Sequence, residues 1–157
     1  MTPALAVAEE VCGIIRNKAQ EQGIEIQCEF EPKAGEFEAD AKAVRSLLIN
    51  LMENALDACR VDKKKTIHQV RVGVKGYPEC VEFEVSDNGI GMDQETRERA
   101  FTLFFSSKKG DGTGLGLFVS NKIARAHGGK IRLESELNQG TRVIVTLPRR
   151  RPVLKAA

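Results

Sequence analysis

The sequence predicts an α+β domain, a two-layer sandwich of a mixed, mainly antiparallel sheet with helices on one face. Helical and strand-like patterns are interleaved along the chain, and most strand-like segments occur in pairs joined by short turns, as in hairpins. The chain has 157 residues, which suits one domain, and 41% of them are apolar. That apolar fraction excludes a chain that is disordered throughout.

The N-terminal third is predicted to form a helix, a strand and a second helix. We expect the first helix over residues 3–22, because Gly23 is a stop signal. Apolar residues at alternate positions predict a strand over residues 24–30. Asp40 is a predicted N-cap for a long helix over residues 41–60.

The central part is predicted to form a hairpin. Three lysines at residues 63–65 are interpreted as a solvated loop. Apolar residues alternate over residues 70–74 and again over residues 81–85, and the Gly-Tyr-Pro sequence at 76–78 suits the connection between two strands. A short helix is expected over residues 94–101.

The C-terminal part is predicted to form a helix and a second hairpin. Residues 105–113 are polar, basic and glycine-bearing, so we interpret them as a mobile loop. A helix is expected over residues 114–126, ending at Gly128. Two strands follow, over residues 130–136 and 141–147.

Basic residues are concentrated at the C-terminus. The net charge is +2, yet residues 149–157 hold four basic residues and no acidic one, so residues 1–148 carry a net charge of −2. We therefore expect a folded domain over residues 1–148 and a solvated basic tail over residues 149–157. A slightly acidic body argues against a nucleic-acid-binding domain.

Apolar runs and cysteines indicate the compartment. No apolar run approaches the roughly 18 residues that span a bilayer, so we expect no membrane insertion by this chain. The N-terminus lacks the basic start of a signal peptide. Four scattered cysteines without a C-x-x-C pair disfavour zinc and redox motifs and predict reduced thiols in a cytoplasmic protein.

A polar stripe runs along the predicted long helix. At about 100° per residue, Asn50, Glu53, Asn54 and Asp57 share one face, and an apolar set lies opposite them. Amide and carboxylate oxygens are the ligands that Mg²⁺ prefers, with water and substrate phosphates completing its shell. The alternative is an ordinary solvated helix face.

The segment Asp87–Met92 follows a predicted strand directly. Asp87 could accept a hydrogen bond from an exocyclic amine such as that of adenine, and Gly89 and Gly91 would let the backbone approach a flat ring. The alternative is a plain Asn-Gly turn.

A glycine-rich segment over residues 108–117 opens the last predicted helix. Its alternate glycines free backbone N–H groups to face an anion at the helix N-terminus, and Lys108 and Lys109 add positive charge. The segment matches neither the P-loop spacing nor the dinucleotide-binding spacing. The alternative is a flexible linker.

The histidines and clustered phenylalanines are not predicted to be catalytic. His68 lies in a predicted strand and is interpreted as a satisfied or exposed side chain. His127 ends a helix, where it can favour the helix dipole. Phe101, Phe104 and Phe105 are interpreted as an anchor for the base of the loop.

Taken in order, four motifs resemble the Bergerat-type ATP-binding domain of sensor histidine kinases. They are N-x-x-x-N-A, D-N-G-x-G, F-x-x-F-F-[ST]-[ST]-K and G-T-G-L-G-L, within Asn50–Asp57, Asp87–Met92, Phe101–Lys108 and Gly112–Leu117. The same superfamily holds type II topoisomerase ATPases, the Hsp90 chaperone and the MutL mismatch-repair protein. The resemblance implies a domain that binds ATP and Mg²⁺.

The resemblance also implies roles for individual residues. Asn54 would ligate Mg²⁺, Asn50 would contact phosphate or water, and Asp87 would bind the adenine amine. Glu53 would orient or deprotonate an acceptor histidine, and Gly91 would flank the ring. The remaining motif residues would line the nucleotide site and hold its phosphates: Asp57, Gly89, Met92, Phe105, Lys108, Gly112, Thr113, Gly114, Leu115, Gly116 and Leu117.

Two positions depart from the family pattern. Hydrolases of the superfamily carry a glutamate where this chain has Asn50. An amide cannot accept a proton, so phosphoryl transfer is favoured over hydrolysis. Leu103 stands where many relatives have proline, which bears on the shape of the lid.

The resemblance implies transfer of the γ-phosphoryl group of ATP to a histidine on a dimerisation domain. Neither His68 nor His127 fits the acceptor motif, so we expect that domain to be absent from this chain and a response regulator to be an indirect partner. Two alternatives are a free-standing serine/threonine kinase that acts as an anti-sigma factor and a non-catalytic nucleotide-binding module. A third is a structural domain without ligand.

Overall fold

The computed structural model describes residues 1–101 and 116–152. Within them the helices are α1 (Ala4–Glu21), α2 (Ala41–Val61), α3 (Gln94–Glu98) and α4 (Gly116–Ala126). The strands are β1 (Thr2–Pro3), β2 (Glu25–Phe30), β3 (Glu36–Phe37), β4 (Gln69–Gly76), β5 (Cys80–Asp87), β6 (Lys130–Glu136) and β7 (Gly140–Pro148).

Five of these strands form one mixed sheet in the order β2-β4-β5-β7-β6. The edge strand β2 runs parallel to β4, and the other neighbouring pairs are antiparallel. The predicted α+β class with a mainly antiparallel sheet is confirmed. The structure adds a two-stranded sheet of β1 and β3, which are too short to show a period in the sequence.

The core lies between one face of the five-stranded sheet and the helices. Helix α2 contacts α1 on one side and α4 on the other, and it also packs on β4 and β5. The apolar alternation in the two central strands has the expected cause, since Val70, Val72 and Val74 are buried and the polar residues between them are not. A tilted pair of rings, Phe37 and Phe83, joins β3 to the sheet at a centroid distance of 5.7 Å.

Helix ends follow local sequence signals. The Asp40 side chain accepts a hydrogen bond from the backbone N–H of Ala43 at 3.3 Å and starts α2 where predicted. Gly23 has a φ of 71°, which ends α1 without a Cβ clash. Helix α3 ends at Glu98, three residues earlier than predicted, because the backbone tightens into i,i+3 hydrogen bonds there.

Several basic residues expected to be solvated are held by the fold. The Lys65 ammonium donates to the carbonyl of Asn138 at 2.8 Å, which corrects the solvated loop. The Arg149 guanidinium donates to the carbonyls of Ala34, Glu36 and Tyr77, each at 2.8 Å. The Arg151 guanidinium donates to the carbonyl of Ala126 at 3.1 Å, so the expectation of a solvated tail describes neither Arg149 nor Arg151.

Within residues 1–101 and 116–152, none of the helices combines the length and the apolarity that a membrane crossing requires.

Candidate functional site

The polar stripe predicted on α2 is present. Asn50, Glu53, Asn54 and Asp57 are each partly exposed, whereas the opposite face of the helix is buried. Asp57 forms an ion pair with Arg60 at 3.2 Å. The stripe is therefore fixed in position by a packed apolar surface behind it.

Asn54 lies directly against the start of α4. A Cβ built on Gly116 would be 3.3 Å from Nδ2 and 3.5 Å from Oδ1 of Asn54. The bare α-carbon of Gly116 is therefore what leaves room for the Asn54 amide. Two residues that the resemblance assigned to one nucleotide site are thus neighbours, although they are 62 positions apart in the sequence.

Asp87 ends β5 in a turn that is fixed by side-chain hydrogen bonds. Its Oδ1 accepts from the backbone N–H of Gly89 at 2.8 Å. The next residue, Asn88, accepts from the N–H of Gln69 at 2.8 Å and donates to the carbonyl of Ile67 at 3.0 Å. The Asn88 amide therefore locks the turn to the start of β4, a role that its place in an Asn-Gly pair did not reveal.

The turn after Asp87 also packs against the end of α2. A Cβ on Gly89 would lie 2.4 Å from the carbonyl carbon of Ala58, and the N–H of Ile90 donates to the Ala58 carbonyl at 3.0 Å. From the sequence, we expected that the absence of a side chain at Gly89 would let the backbone approach a flat ring. In the structure, a Cβ on Gly89 would instead meet the backbone of α2 at Ala58, one helical turn after Asn54.

Gly91 and Met92 are attached to the far hairpin. Gly91 has a φ of 68°, and a Cβ there would lie 2.0 Å from the carbonyl oxygen of Glu136. The N–H of Met92 donates to Oγ of Ser135 at 2.8 Å, and that hydroxyl donates to the carbonyl of Gly140 at 2.9 Å. The absence of a side chain at Gly91 thus allows close contact with the backbone of Glu136.

A buried carboxylate, Asp62, organises the residues after α2. Its side chain is 1% exposed and lies 2.8 Å from Nε2 of His68 and 3.1 Å from Nζ of Lys65. Burial by itself raises the pKa of Asp62, but hydrogen bonds from His68 and from residues 64 and 65 outweigh it and hold that pKa well below its usual range. His68 is thereby confirmed as a satisfied side chain.

Lys65 carries this network to the Asp87 turn. Besides Asp62, its ammonium bonds the carbonyl of Asn138, whose N–H donates to the carbonyl of Ile90 at 2.6 Å. Asn138 has a φ of 67°, which a turn asparagine tolerates. Sequence reasoning missed this network: Asp62, Lys65 and His68 are close in sequence, but the link from Lys65 to Asn138 spans 73 positions.

His127 binds the end of its helix, as predicted, and also has a second role. It is 2% exposed; its Nδ1 donates to the carbonyl of Ile123 at 2.9 Å, and its Nε2 accepts from the N–H of Asp40 at 3.1 Å. This pattern requires the neutral Nδ1–H tautomer. The ring therefore caps a carbonyl in the last turn of α4 as a neutral donor, and it also joins the end of α4 to the start of α2.

Cys59 lies beside the Asp87 turn. Burial, followed by the negative charges of Asp87 and Asp62, raises the pKa of its thiol to about 12. The thiol stays protonated at neutral pH and acts as a small apolar group on the inner side of the candidate site.

Part of the predicted site lies outside the described residues: Phe105, Lys108, Gly112, Thr113, Gly114 and Leu115. Leu117 lies inside them and packs against the apolar core. The described ranges bring together Asn54 with Gly116, and the Asp87 turn with the end of α2. Within these ranges no three His, Cys, Asp or Glu side chains form a group that could hold a metal, so an ion here would depend on amide oxygens and on the ligand itself.

Comparison with known proteins identifies the family of this domain. A protein-family model described as histidine kinase-, DNA gyrase B-, and HSP90-like ATPase matches residues 39–151. The chain belongs to this family. It is a histidine-kinase ATP-binding domain of the Bergerat fold, as the four motifs predict.

Relatives of this ATPase-family domain include two proteins of Caulobacter vibrioides. The non-motile and phage-resistance protein is 33% identical over 149 residues, which cover 90% of this chain and 17% of that protein. The histidine protein kinase DivJ is 33% identical over 141 residues, covering 86% of this chain and 22% of that protein. The chain therefore spans less than a quarter of the length of these relatives.

A solved structure of a histidine kinase catalytic domain has the same fold. The catalytic domain of the histidine kinase ThkA superimposes with a TM-score of 0.80 at 27% identity, covering 95% of this chain and 96% of that one. The likeness therefore extends over the whole domain.

Proposed function

We propose that this domain binds ATP with Mg²⁺ between α2 and α4 and presents the γ-phosphoryl group to a histidine on a separate dimerisation domain. The contact between Asn54 and Gly116 supports this proposal above all other observations. It places an amide oxygen of a rigidly backed helix beside the N-terminal end of another helix, where partial positive charge favours phosphate.

Asn54 is the proposed protein ligand of the metal. Mg²⁺ keeps most of its shell as water and substrate phosphate oxygens and needs one or two protein oxygens. The donor set on α2 fits this demand, since Asn50, Glu53 and Asp57 are partly exposed on the same stripe. When bound, the ion neutralises charge on the phosphates.

Asp87 is the proposed adenine contact. Its carboxylate has two oxygens with several lone pairs, and the bond from Gly89 fixes its orientation. Asn88 and the Gly89 contact on α2 hold the turn in place. A fixed acceptor at this strand end discriminates a base that carries an amine.

Transfer rather than hydrolysis follows from the side chains on α2. Asn50 cannot take a proton from water, whereas Glu53, one turn along the stripe, can orient or deprotonate an incoming imidazole. Neutral imidazole is already a nucleophile, and phosphoryl transfer depends mainly on positioning and charge neutralisation.

The acceptor histidine is proposed to lie on another domain, because both histidines of this chain are engaged. His68 is 2.8 Å from the Asp62 carboxylate with 13% of its side chain exposed, and both ring nitrogens of His127 are hydrogen-bonded. A response regulator would receive the phosphoryl group afterwards. A cytoplasmic location is proposed, since ATP is supplied there and the four cysteines are free thiols.

Two measurements test the proposal. Calorimetry with ATP, with and without Mg²⁺, should show metal-dependent binding that falls by at least about tenfold in Asn54→Ala and in Asn54→Asp. Gly13→Ala on α1 is the matched control, because a Cβ there meets nothing within 4 Å. Unchanged affinity in both Asn54 variants would remove Asn54 from the site.

Labelled ATP then identifies the reaction. With a separately supplied histidine-bearing dimerisation domain, we expect acid-labile label on that domain and none on this chain. Acid-stable label on a partner serine would favour the anti-sigma kinase. Binding without transfer would favour a regulatory nucleotide module, and failure to bind ATP would leave a structural domain.

A further inference from the structure

A pair of thiols joins α1 to the sheet, far along the chain from the nucleotide motifs. Sγ of Cys28 lies 3.5 Å from Sγ of Cys12 and donates a hydrogen bond to it. Cys12 is 2% exposed on the inner face of α1, whereas Cys28 is partly exposed on the edge strand β2. Cys28 is therefore the more exposed residue of the pair, and Cys12 lies behind it.

A positive charge accompanies this pair. The guanidinium of Arg16, one helical turn after Cys12, donates to Sγ of Cys28 at 3.4 Å. The guanidinium thus lies beside the more exposed sulfur of the pair, and the thiolate is the nucleophile in thiol chemistry. Burial, and after it the hydrogen bond from Cys28, raises the pKa of Cys12 to about 12, so Cys12 is a thiol at neutral pH.

We propose that Cys12 and Cys28 are a modification site that forms a reversible disulfide between α1 and the edge strand β2 by exchange with a small-molecule disulfide. The Cys28 thiolate attacks one sulfur of the reagent, forming a mixed disulfide and releasing one thiolate. Cys12 then attacks Sγ of Cys28, and its proton passes to the second reagent sulfur as that sulfur departs as a thiol. Two protein thiols are oxidised and one reagent disulfide is reduced to two thiols.

The geometry requires only a small movement. The sulfurs must close from 3.5 Å to the disulfide bond length of about 2.05 Å. The residues flanking Cys28 in the strand, Ile26 and Phe30, pack against the core on the same side, so β2 is already seated on α1. Rotation about the side-chain bonds can supply the movement without lifting the strand.

The other two thiols provide the contrast. Cys59 is buried beside the Asp87 turn, and Cys80 is partly exposed at the start of β5. All four cysteines lie in the described ranges, and the pair Cys12–Cys28 is the one with a sulfur–sulfur hydrogen bond there. Selectivity for this pair is therefore a direct consequence of the proposal, and it is independent of ATP binding.

The test is oxidation of the intact native chain with oxidised glutathione, followed by mass spectrometry and peptide mapping. We expect loss of two hydrogen atoms without a retained glutathione adduct, a linked peptide pair containing Cys12 and Cys28, and full reversal by dithiothreitol. Cys80→Ser should behave identically. Cys12→Ser should instead retain one glutathione on Cys28, because the second thiol is missing.

Thermal denaturation gives a second readout. The bridge closes a loop of about 15 residues, for which a rise of roughly 5–10 °C in Tm is expected on oxidation. Cys28→Ser, a mild change at a partly exposed position, should fold and show no oxidation-dependent shift. A glutathione adduct that persists in the unsubstituted protein, a linkage through Cys59 or Cys80, or no reaction would each overturn the proposal.

Discussion

The amide of Asn54 lies beside the α-carbon of Gly116, so that a Cβ built on Gly116 would be 3.3 Å from Nδ2 of Asn54. Because of this contact, a substitution at Gly116 is expected to change ligand binding and stability separately. A substitution at Gly116 crowds the amide proposed to bind Mg²⁺, yet it leaves the apolar contacts between α2 and α4 in place.

Gly116→Ala should weaken ATP–Mg²⁺ binding without lowering stability. The added methyl group pushes Asn54 by a few tenths of an ångström, for which we expect an affinity loss of about fivefold, or ~1 kcal/mol. Alanine is a better helix former than glycine, so Tm should not fall. Calorimetry and thermal denaturation measure the two effects, with Gly13→Ala as the variant that changes neither the site nor its surroundings. A parallel fall in Tm and affinity would contradict the local mechanism.

Gly89→Ala should destabilise the domain. Its Cβ would lie 2.4 Å from the Ala58 carbonyl carbon, a backbone atom that cannot rotate away, so we expect a loss of about 2–3 kcal/mol in the free energy of unfolding. Urea denaturation measures it. Gly73→Ala is the control, since its Cβ would meet neighbours at 3.7 Å and 3.8 Å, which is ordinary contact. Equal stability of both variants would show that the turn does not pack on α2.

Asp62→Asn should destabilise the domain most at neutral pH and progressively less as the solution becomes acidic. The folded-state pKa of Asp62 is lowered, so its stabilising contribution is complete above the unfolded pKa of about 4 and is lost as pH falls toward the folded value. We expect a deficit of about 2–4 kcal/mol at pH 7, since His68 and Lys65 lose a buried partner.

Denaturant unfolding from pH 7 to pH 3 follows this deficit, which should shrink below about pH 4. Glu10→Gln is the control: Glu10 pairs with Arg45 at 3.3 Å on the surface, where ion pairs contribute little. A deficit that stays constant with pH would mean that the charge of Asp62 is not what stabilises the fold.

His127→Phe should cost about 2–4 kcal/mol of unfolding free energy, because the Asp40 N–H and the Ile123 carbonyl lose their partner inside the fold. His127→Gln offers an acceptor and a donor on one amide and should recover part of that loss. Nitrogen NMR of the unsubstituted protein should show a neutral ring protonated at Nδ1. An Nε2–H ring, or equal stability of the two variants, would exclude the bridge.

Features that depend on neighbouring residues could be predicted from the sequence. Asp40 caps α2 because its side chain reaches an N–H three residues on, and Gly23 ends α1 because its own φ is positive. The alternation in β4 predicted a strand because one face of the sheet is buried. The stripe on α2 followed from helical spacing alone.

Features that depend on distant residues could not be predicted. Lys65 looked solvated, since its partner Asn138 is 73 positions away. The need for glycine at positions 89 and 91 was visible, but the atoms that impose it, Ala58 and Glu136, belong to other elements. His127 was placed correctly at a helix end, yet its second partner, the N–H of Asp40 at the start of α2, is 87 positions away in the sequence.

The position of Arg149 has a practical consequence for anyone who shortens this chain. Its guanidinium donates to the carbonyls of Ala34, before β3, and of Glu36, in β3. Its own carbonyl accepts from the N–H of Glu38, after β3. An expression boundary chosen at Pro148, where the sheet ends, would remove these bonds and weaken the attachment of the β1–β3 ribbon, leaving it to the packing of Phe37 on Phe83. Truncated versions intended for crystallisation or screening should therefore end beyond Arg149.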